Sequence, residues 1–492
     1  MRGMKPAKAA LTGLLAIVAA LAAGHLVAAF VGLSASPYLA VGNAAIDLTP
    51  SWLKDFAVTA FGTYDKAVLL TGMALVLAGI GIAAGLASRN SPTPGSVVAV
   101  VLGLVGIAAV LTRPDVGQLA LLAPVASIAA GLWVFRRLHQ QTEEDGSRRD
   151  FLVTAGLAVA AGVGGQLLGN RTDVEGSRRA IGDLTPKTKA PEVPVGADFV
   201  KDGTPSFITS GDDFYRIDTA LSVPRIRAEE WALRVHGMVE RPMVLTFEEI
   251  RNRDLVEETI TLTCVSNEVG GPYISNANFV GIRIGDVLRE AGVKAGADQL
   301  FSTSDDGFTA GSPLDHVLER GLIAIGMNGQ PLPAEHGFPA RLVVPGLYGY
   351  VSATKWVTDL NVTTFAKEQG YWIPRGWAAR APIKTMSRID RPRRMGKVQG
   401  RTVVAGTAWA QPKGVAKVEV RADGGPWQEA QLGADVSDST WRMWRIEMDL
   451  RPGSHTVECR ATDKSGYTQD QARLDPVPDG ATGWHSVTFT VE

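Results

Sequence analysis

The sequence predicts a membrane protein in three parts: an N-terminal bundle of about five transmembrane helices, an α+β domain, and a C-terminal immunoglobulin-like β-sandwich. Mean hydropathy over the 492 residues is only +0.07, because an apolar N-terminal third is averaged with a remainder of ordinary soluble composition. Beyond residue 205, short strand-like runs at 231–235, 259–263 and 341–344 mix with helical stretches at 246–253 and 284–291, an α+β pattern. Beyond residue 381 the runs are strands alone, at 402–405, 416–421, 442–448 and 455–462, with turns at Asp423-Gly424-Gly425 and Pro452-Gly453. That spacing is a small sandwich.

The five apolar stretches, near 9–33, 67–87, 96–112, 116–135 and 151–169, reach or approach the roughly 20 residues that cross a bilayer. Each is almost free of charge, which argues against buried helices of a soluble core. Only Thr112-Arg113-Pro114-Asp115 separates the third from the fourth, the pattern of a tight helical hairpin. Arg2, Lys5 and Lys8, then Arg89, then Arg136, Arg137, Arg148 and Arg149 all fall on one side if the N-terminus is cytoplasmic. Five spans then deliver everything after residue 170 to the outside, although Arg171, Arg178 and Arg179 count against this. The run Ser147-Arg148-Arg149-Asp150-Phe151-Leu152, abutting the fifth span, resembles a twin-arginine export signal. That resemblance implies a bacterial cell membrane and export of an already folded, cofactor-loaded domain. No small-x-small cleavage site precedes Arg171, so the segment is expected to stay as an anchor. The expected boundaries are 1–146 for four spans, 147–170 for the signal and fifth span, 171–204 for a Pro-containing tether, 205–380 for the α+β domain and 381–492 for the sandwich.

Charge and cysteine usage narrow the function. With 49 basic and 50 acidic residues, the net charge of -1 gives no support for a nucleic-acid partner. The two cysteines form no CxxC and no Cys/His cluster. A buried apolar thiol is the ordinary use of such a residue, and a Cys264–Cys459 disulfide is the rival, although the two fall in different expected domains. Otherwise Cys264, in Thr261-Leu262-Thr263-Cys264-Val265-Ser266-Asn267, must act alone, and a lone thiolate suits one bond to a soft metal.

Downstream stand Met327-Asn328-Gly329-Gln330-Pro331-Leu332-Pro333, His336-Gly337-Phe338-Pro339-Ala340-Arg341, and Pro345-Gly346 through Ser352, Lys355 and Trp356. Together with Cys264, and with Pro382-Ile383-Lys384-Thr385-Met386-Ser387-Arg388-Ile389 beyond, these resemble the sulfite-oxidase family of molybdopterin-dependent oxidoreductases over about residues 205–492. The resemblance implies a molybdenum-molybdopterin cofactor (Mo-MPT) and two-electron oxygen-atom transfer, with the sandwich as a dimerisation domain and a possible homodimer. It implies that Cys264 is the metal's protein thiolate and that Arg341 and Lys355 bind the cofactor's phosphate as a fork of donors and a point charge. It implies that His336 donates to the pterin or phosphate, and that Asn267 and Ser352 lie against the cofactor. Gly346 and Gly349 would let backbone N–H groups approach the anion. Arg216, in Asp213-Phe214-Tyr215-Arg216, becomes a candidate for an anionic substrate or cofactor.

Two departures bear on the substrate. Val265-Ser266-Asn267-Glu268 follows the cysteine where sulfite oxidases have Ala-Gly-Asn-Arg, and Ile325 stands where they carry a tyrosine. The expected substrate is therefore a small sulfur oxyanion or an S-oxide. No CxxCH, no iron–sulfur cysteine set and, in the spans, only His25 with His139 just beyond give no haem and no iron-sulfur cluster. Electrons must pass to a separate cytochrome or quinone partner. The alternative is a catalytically inactive binding module that keeps the fold on membrane spans.

Overall fold

The computed structural model describes residues 4–492 except 51–52, 54–55, 58–59, 62–63, 114–115, 141–146, 170–171 and 400. Of the residues in the expected hairpin and charge pattern, Arg2, Pro114, Asp115 and Arg171 lie outside this set. The chain divides into two compact units, residues 1–173 with 219–223, and residues 174–218 with 224–492.

The first unit is helical: α1 (Pro6–Val31), α2 (Pro37–Leu48), α3 (Asp65–Ala87), α4 (Thr93–Leu111), α5 (Leu122–Gln140) and α6 (Ser147–Gly169). Four helices among the described residues are long and apolar enough to cross a membrane, namely α1, α3, α4 and Gln118–Gln140. The fifth expected span is α6, but its apolar stretch, Leu152–Leu168, is shorter than the other four. Charged Ser147-Arg148-Arg149-Asp150 occupies its first turn, so helix length and apolar length differ. Neither periodicity nor charge signalled α2, a helix of 12 residues that is too short to span. Helices α1 and α3 cross where both lack side chains: a Cβ on Gly13 would lie 1.9 Å from the Gly81 carbonyl oxygen. This is the small-residue route to close helix packing. Arg113, in the expected hairpin, pairs with Asp47 at 2.5 Å.

The second unit begins earlier than expected. The stretch assigned to a free tether contains a helix, Val174–Ile181, and buries Val174, Ile181, Leu184 and Ala197 in the domain core. Prolines signalled an extended chain, but the spaced apolar residues before Pro186, and Ala197 beyond it, give that chain a surface to pack on. Two sheets organise the α+β part. One has the strand order β2-β1-β10-β5-β6, with β1 Ala232–Gly237, β2 Met243–Thr246, β5 Gln299–Ser304, β6 Thr309–Pro313 and β10 Val357–Thr363. The other has the order β3-β4-β7-β8, with β3 Val256–Thr263, β4 Ile274–Arg283, β7 Leu322–Met327, β8 Gln330–Pro331, and β9 Arg341–Val343 paired to β7. Helix Phe247–Arg251 starts at a capping box between Thr246 and Glu249, which satisfies two orphan donors of its first turn.

Strand β3 positions the site. Its Thr-Ile-Thr-Leu-Thr alternation predicts one solvated face, yet Thr259 to Thr263 are all buried. The threonine face stays dry because Thr259 and Thr261 donate to the Asn278 and Asn276 side chains of β4, both at 2.8 Å. From Met386 onward, strands β11 (Met386–Arg391), β13 (Thr402–Trp409), β16 (Gln431–Leu432) and β17 (Arg442–Met448) form one sheet. A second holds β12 (Lys397–Val398), β14 (Val415–Ala422), β15 (Gln428–Glu429), β18 (Gly453–Asp463) and β19 (His485–Val491). Val404, Trp444, Val418, Cys459 and Phe489 from both sheets share one core.

Candidate functional site

Cys264 opens the loop that joins β3 to β4. The register pairs Thr263 with Ile274, so residues 264–273 must turn back within the width of two strands. Three bonds close the loop: Cys264 N–H to the Tyr273 carbonyl at 3.0 Å, Tyr273 N–H to Asn267 Oδ1 at 2.8 Å, and Asn267 N–H to the Cys264 carbonyl at 3.2 Å. The thiol is half-buried and 3.0 Å from Ser266 Oγ. Burial pushes its pKa up, and the Ser266 hydrogen bond opposes this. An isolated thiolate is therefore disfavoured here until a cation arrives to hold it.

A second set converges from the segment 336–355. Gly337, at φ 109°, brings Arg341 and Lys355 together: a Cβ there would lie 3.1 Å from both the Arg341 Cβ and the Lys355 Cα. His336 is 6% exposed, and its Nε2 is 2.8 Å from the Gly211 carbonyl. A carbonyl only accepts, so Nε2 carries the proton and Nδ1 is left an acceptor. Burial first, then Arg341 and Lys355, push its pKa down to about 4, leaving it neutral at pH 7. The expectation that His336 donates to a ligand is thus corrected: its N–H is spent on Gly211.

Arg341 is 4% exposed and its guanidinium lies over the Phe279 ring. One Nη1–H donates to the His336 carbonyl at 3.1 Å, and the buried Nε–H has no partner. Among the described residues no carboxylate pairs with it. Burial pulls its pKa down to about 10. Lys355 differs, since its Nζ donates to Asp218 at 2.8 Å and to the Glu335 carbonyl at 3.2 Å. Burial lowers it to about 8 against the opposing Asp218 charge.

The two sets meet through Tyr215. Burial raises its hydroxyl pKa, the Cys264 charge raises it further and Arg341 lowers it, so the phenol lies within electrostatic reach of both. Its oxygen is 3.7 Å from where a Gly349 Cβ would stand, as is the Thr263 carbonyl oxygen. Gly349 therefore borders the site. Tyr215 was passed over in favour of its neighbour Arg216, which is exposed and paired with Asp218 at 3.0 Å. No spacing rule signalled Tyr215, because residues 211–214 turn and 215–218 follow in no regular element. Asp218, which engages both Arg216 and Lys355, gave no sequence signal at all.

Two expected contributors sit differently. A Cβ on Gly346, at φ 91°, would meet Pro412 at 2.9 Å and His316 at 3.1 Å, so this glycine serves backbone geometry and packing against the sandwich. The Ser352 hydroxyl is committed to the Leu347 and Tyr348 carbonyls, both at 3.0 Å. Asn267 is buried, with its Nδ2 unpartnered, as is Thr263 Oγ1 next to the cysteine. Cys264 and Cys459 are both free thiols, Cys459 being buried beside Ser387.

Unpartnered buried donors cost free energy and normally find a bonding group. Here they comprise a guanidinium N–H without a carboxylate and an amide N–H in the cysteine's loop, a donor set that fits an anionic, hydrogen-bonding cofactor carrying a thiophilic metal. The family described as oxidoreductase molybdopterin binding domain matches residues 220–372, which include every site residue named above except Tyr215, Arg216 and Asp218. The oxidoreductase YuiH of Bacillus subtilis is 37% identical over 154 residues, 31% of this chain and 74% of the relative. Human mitochondrial sulfite oxidase is 28% identical over 340 residues, 58% of this chain and 62% of the relative, so the chain spans less than two thirds of that protein's length. Among solved structures, the sulfane dehydrogenase SoxCD from Paracoccus pantotrophus matches 61% of this chain and 88% of its own with a TM-score of 0.52 and 24% identity, a likeness of fold. With 37% identity to a relative that it covers over 74% of that relative's length, the chain belongs to the oxidoreductases built on a molybdopterin-binding domain.

Proposed function

We propose that the protein is a membrane-anchored molybdenum-molybdopterin oxidoreductase that carries out two-electron oxygen-atom transfer on the extracytoplasmic face, on a small sulfur oxyanion or an S-oxide. The observation that carries this reading is Arg341, a buried guanidinium with an unpartnered N–H and no carboxylate among the described residues. It shares electrostatic reach of Tyr215 with the free thiol of Cys264.

When bound, the molybdenum-pterin centre supplies the two-electron redox chemistry and the exchangeable oxygen. The chain's own residues bind and orient. Cys264 offers the metal a thiolate from a hairpin loop whose three hydrogen bonds fix its direction. Arg341 and the Lys355 ammonium compensate the cofactor's negative charge, and Asp218 holds Lys355 in place. Neutral His336 presents an acceptor nitrogen, suited to a pterin N–H. Asn267 has one amide N–H face free for the same group. In this reading a separate cytochrome or quinone partner completes the cycle.

The test is metal and pterin analysis of purified full-length protein, coupled to a screen of sulfite and sulfoxides against an artificial redox dye. Stoichiometric molybdenum with dye-linked turnover of a sulfur substrate is expected. Metal-free protein from cells able to make the cofactor would favour an inactive binding module instead.

A further inference from the structure

We infer that the C-terminal sandwich is a clamp that sets the position of the Cys264 thiol, and that Arg388 and His485 are positioning residues for it. The inference builds on reading Cys264 as the metal's ligand. It goes beyond that reading because it assigns work in the site to a domain whose expected role is dimerisation.

The sandwich grips the cysteine segment on both flanks. Three residues before Cys264, Thr261 donates its N–H to the Ser439 carbonyl at 3.0 Å, accepts the Trp441 N–H on its hydroxyl at 2.8 Å, and accepts Gln411 Nε2 on its carbonyl at 3.2 Å. On the far flank, Arg388 of β11 donates Nη1–H to the Gly271 carbonyl at 2.8 Å. That arginine is only 8% exposed, and its Nε is fixed by Asp390 at 2.7 Å, which in turn accepts from Thr407 at 2.7 Å. His485 of β19 packs directly on the turn: a Cβ on Gly270, at φ 83°, would fall 2.3 Å from its Nε2. The imidazole is held from behind by the Ile389 N–H on Nδ1 at 2.9 Å.

Between these grips the loop has one internal closure after another. Gly271 N–H returns to the Glu268 carbonyl at 2.9 Å, and Tyr273 N–H returns to Asn267. A shift of the Gly270-Gly271 turn is therefore transmitted through Asn267 to the cysteine. A buried guanidinium on a backbone carbonyl is a costly arrangement to maintain, and it is directional. Its geometry holds the loop rather than the sandwich, whose own core lies between its sheets.

The test uses the full chain, loaded and cofactor-free. In the cofactor-free protein, the rate of iodoacetamide labelling at Cys264 is followed by peptide mass. Arg388→Ala and Gly270→Ala should each accelerate labelling tenfold or more, Arg388→Lys should recover much of the native rate, and Arg421→Ala, elsewhere on the sandwich, should leave it unchanged. In the loaded protein, Arg388→Ala should alter the spectroscopic signature of the metal centre. Variants that melt earlier but keep the native labelling rate and signature would overturn the clamp. A full chain that never takes up molybdenum would remove the ligand reading, and the labelling rates would still decide the clamp.

Discussion

Arg341 concentrates the energetic argument at the scale of the residue. A guanidinium with one N–H unpartnered at 4% exposure is a stability cost in the cofactor-free chain. Replacing it with methionine, of similar reach, is expected to raise the melting temperature of cofactor-free protein, a gain on the order of 1 kcal/mol, while abolishing retention of the pterin. A variant that melts lower and still retains cofactor would show that the charge is satisfied within the protein. Lys355 gives a pH signature. Its pKa, pushed down to about 8 by burial, means the ammonium is present at pH 7 and is lost as pH rises through 8. Loading of cofactor-free protein is expected to weaken between pH 7 and 9, and Lys355→Arg should flatten that fall. Cys264, Arg341 and Lys355 were legible because their motif order is specific. Tyr215 and Asp218 were not, because their roles depend on which way an irregular segment presents its side chains, and no spacing rule encodes that. Within the same motif Gly346 packs beside Pro412, and the Ser352 hydroxyl bonds the Leu347 and Tyr348 carbonyls.

Among the elements, the β3–β4 hairpin carries the chemistry and short local signals decide its surroundings. The helical stretches read at 246–253 and 284–291 appear as Phe247–Arg251 and Ile284–Ala291. The first has a legible cause, the Thr246/Glu249 capping box, whose loss through Thr246→Ala should cost about 1 kcal/mol in denaturant unfolding. An unchanged midpoint would show that tertiary packing alone holds the helix. Strand β3 was read at the right place, but its surroundings were not legible. Alternating threonines say half-solvated, and only the asparagines of β4 and the tryptophan of the sandwich make a fully buried polar face affordable. Sequence patterns report periodicity well and partners poorly.

For the whole molecule, the break between an apolar helical part and a β-rich part was plain from hydropathy and is where the two units divide, near residue 173. The apolar helices were found by length, while α2 and the packed stretch after residue 174 were missed because each is too short or too polar to register in such a window. The account's central claim is a bond between the Cys264 sulfur and a pterin-held molybdenum. Molybdenum X-ray absorption on purified full-length protein, beside its Cys264→Ser variant, tests this most directly. The account predicts molybdenum in both, with one sulfur neighbour fewer in the variant and its turnover lost. An identical sulfur shell in the two proteins, or no molybdenum in either, would contradict it.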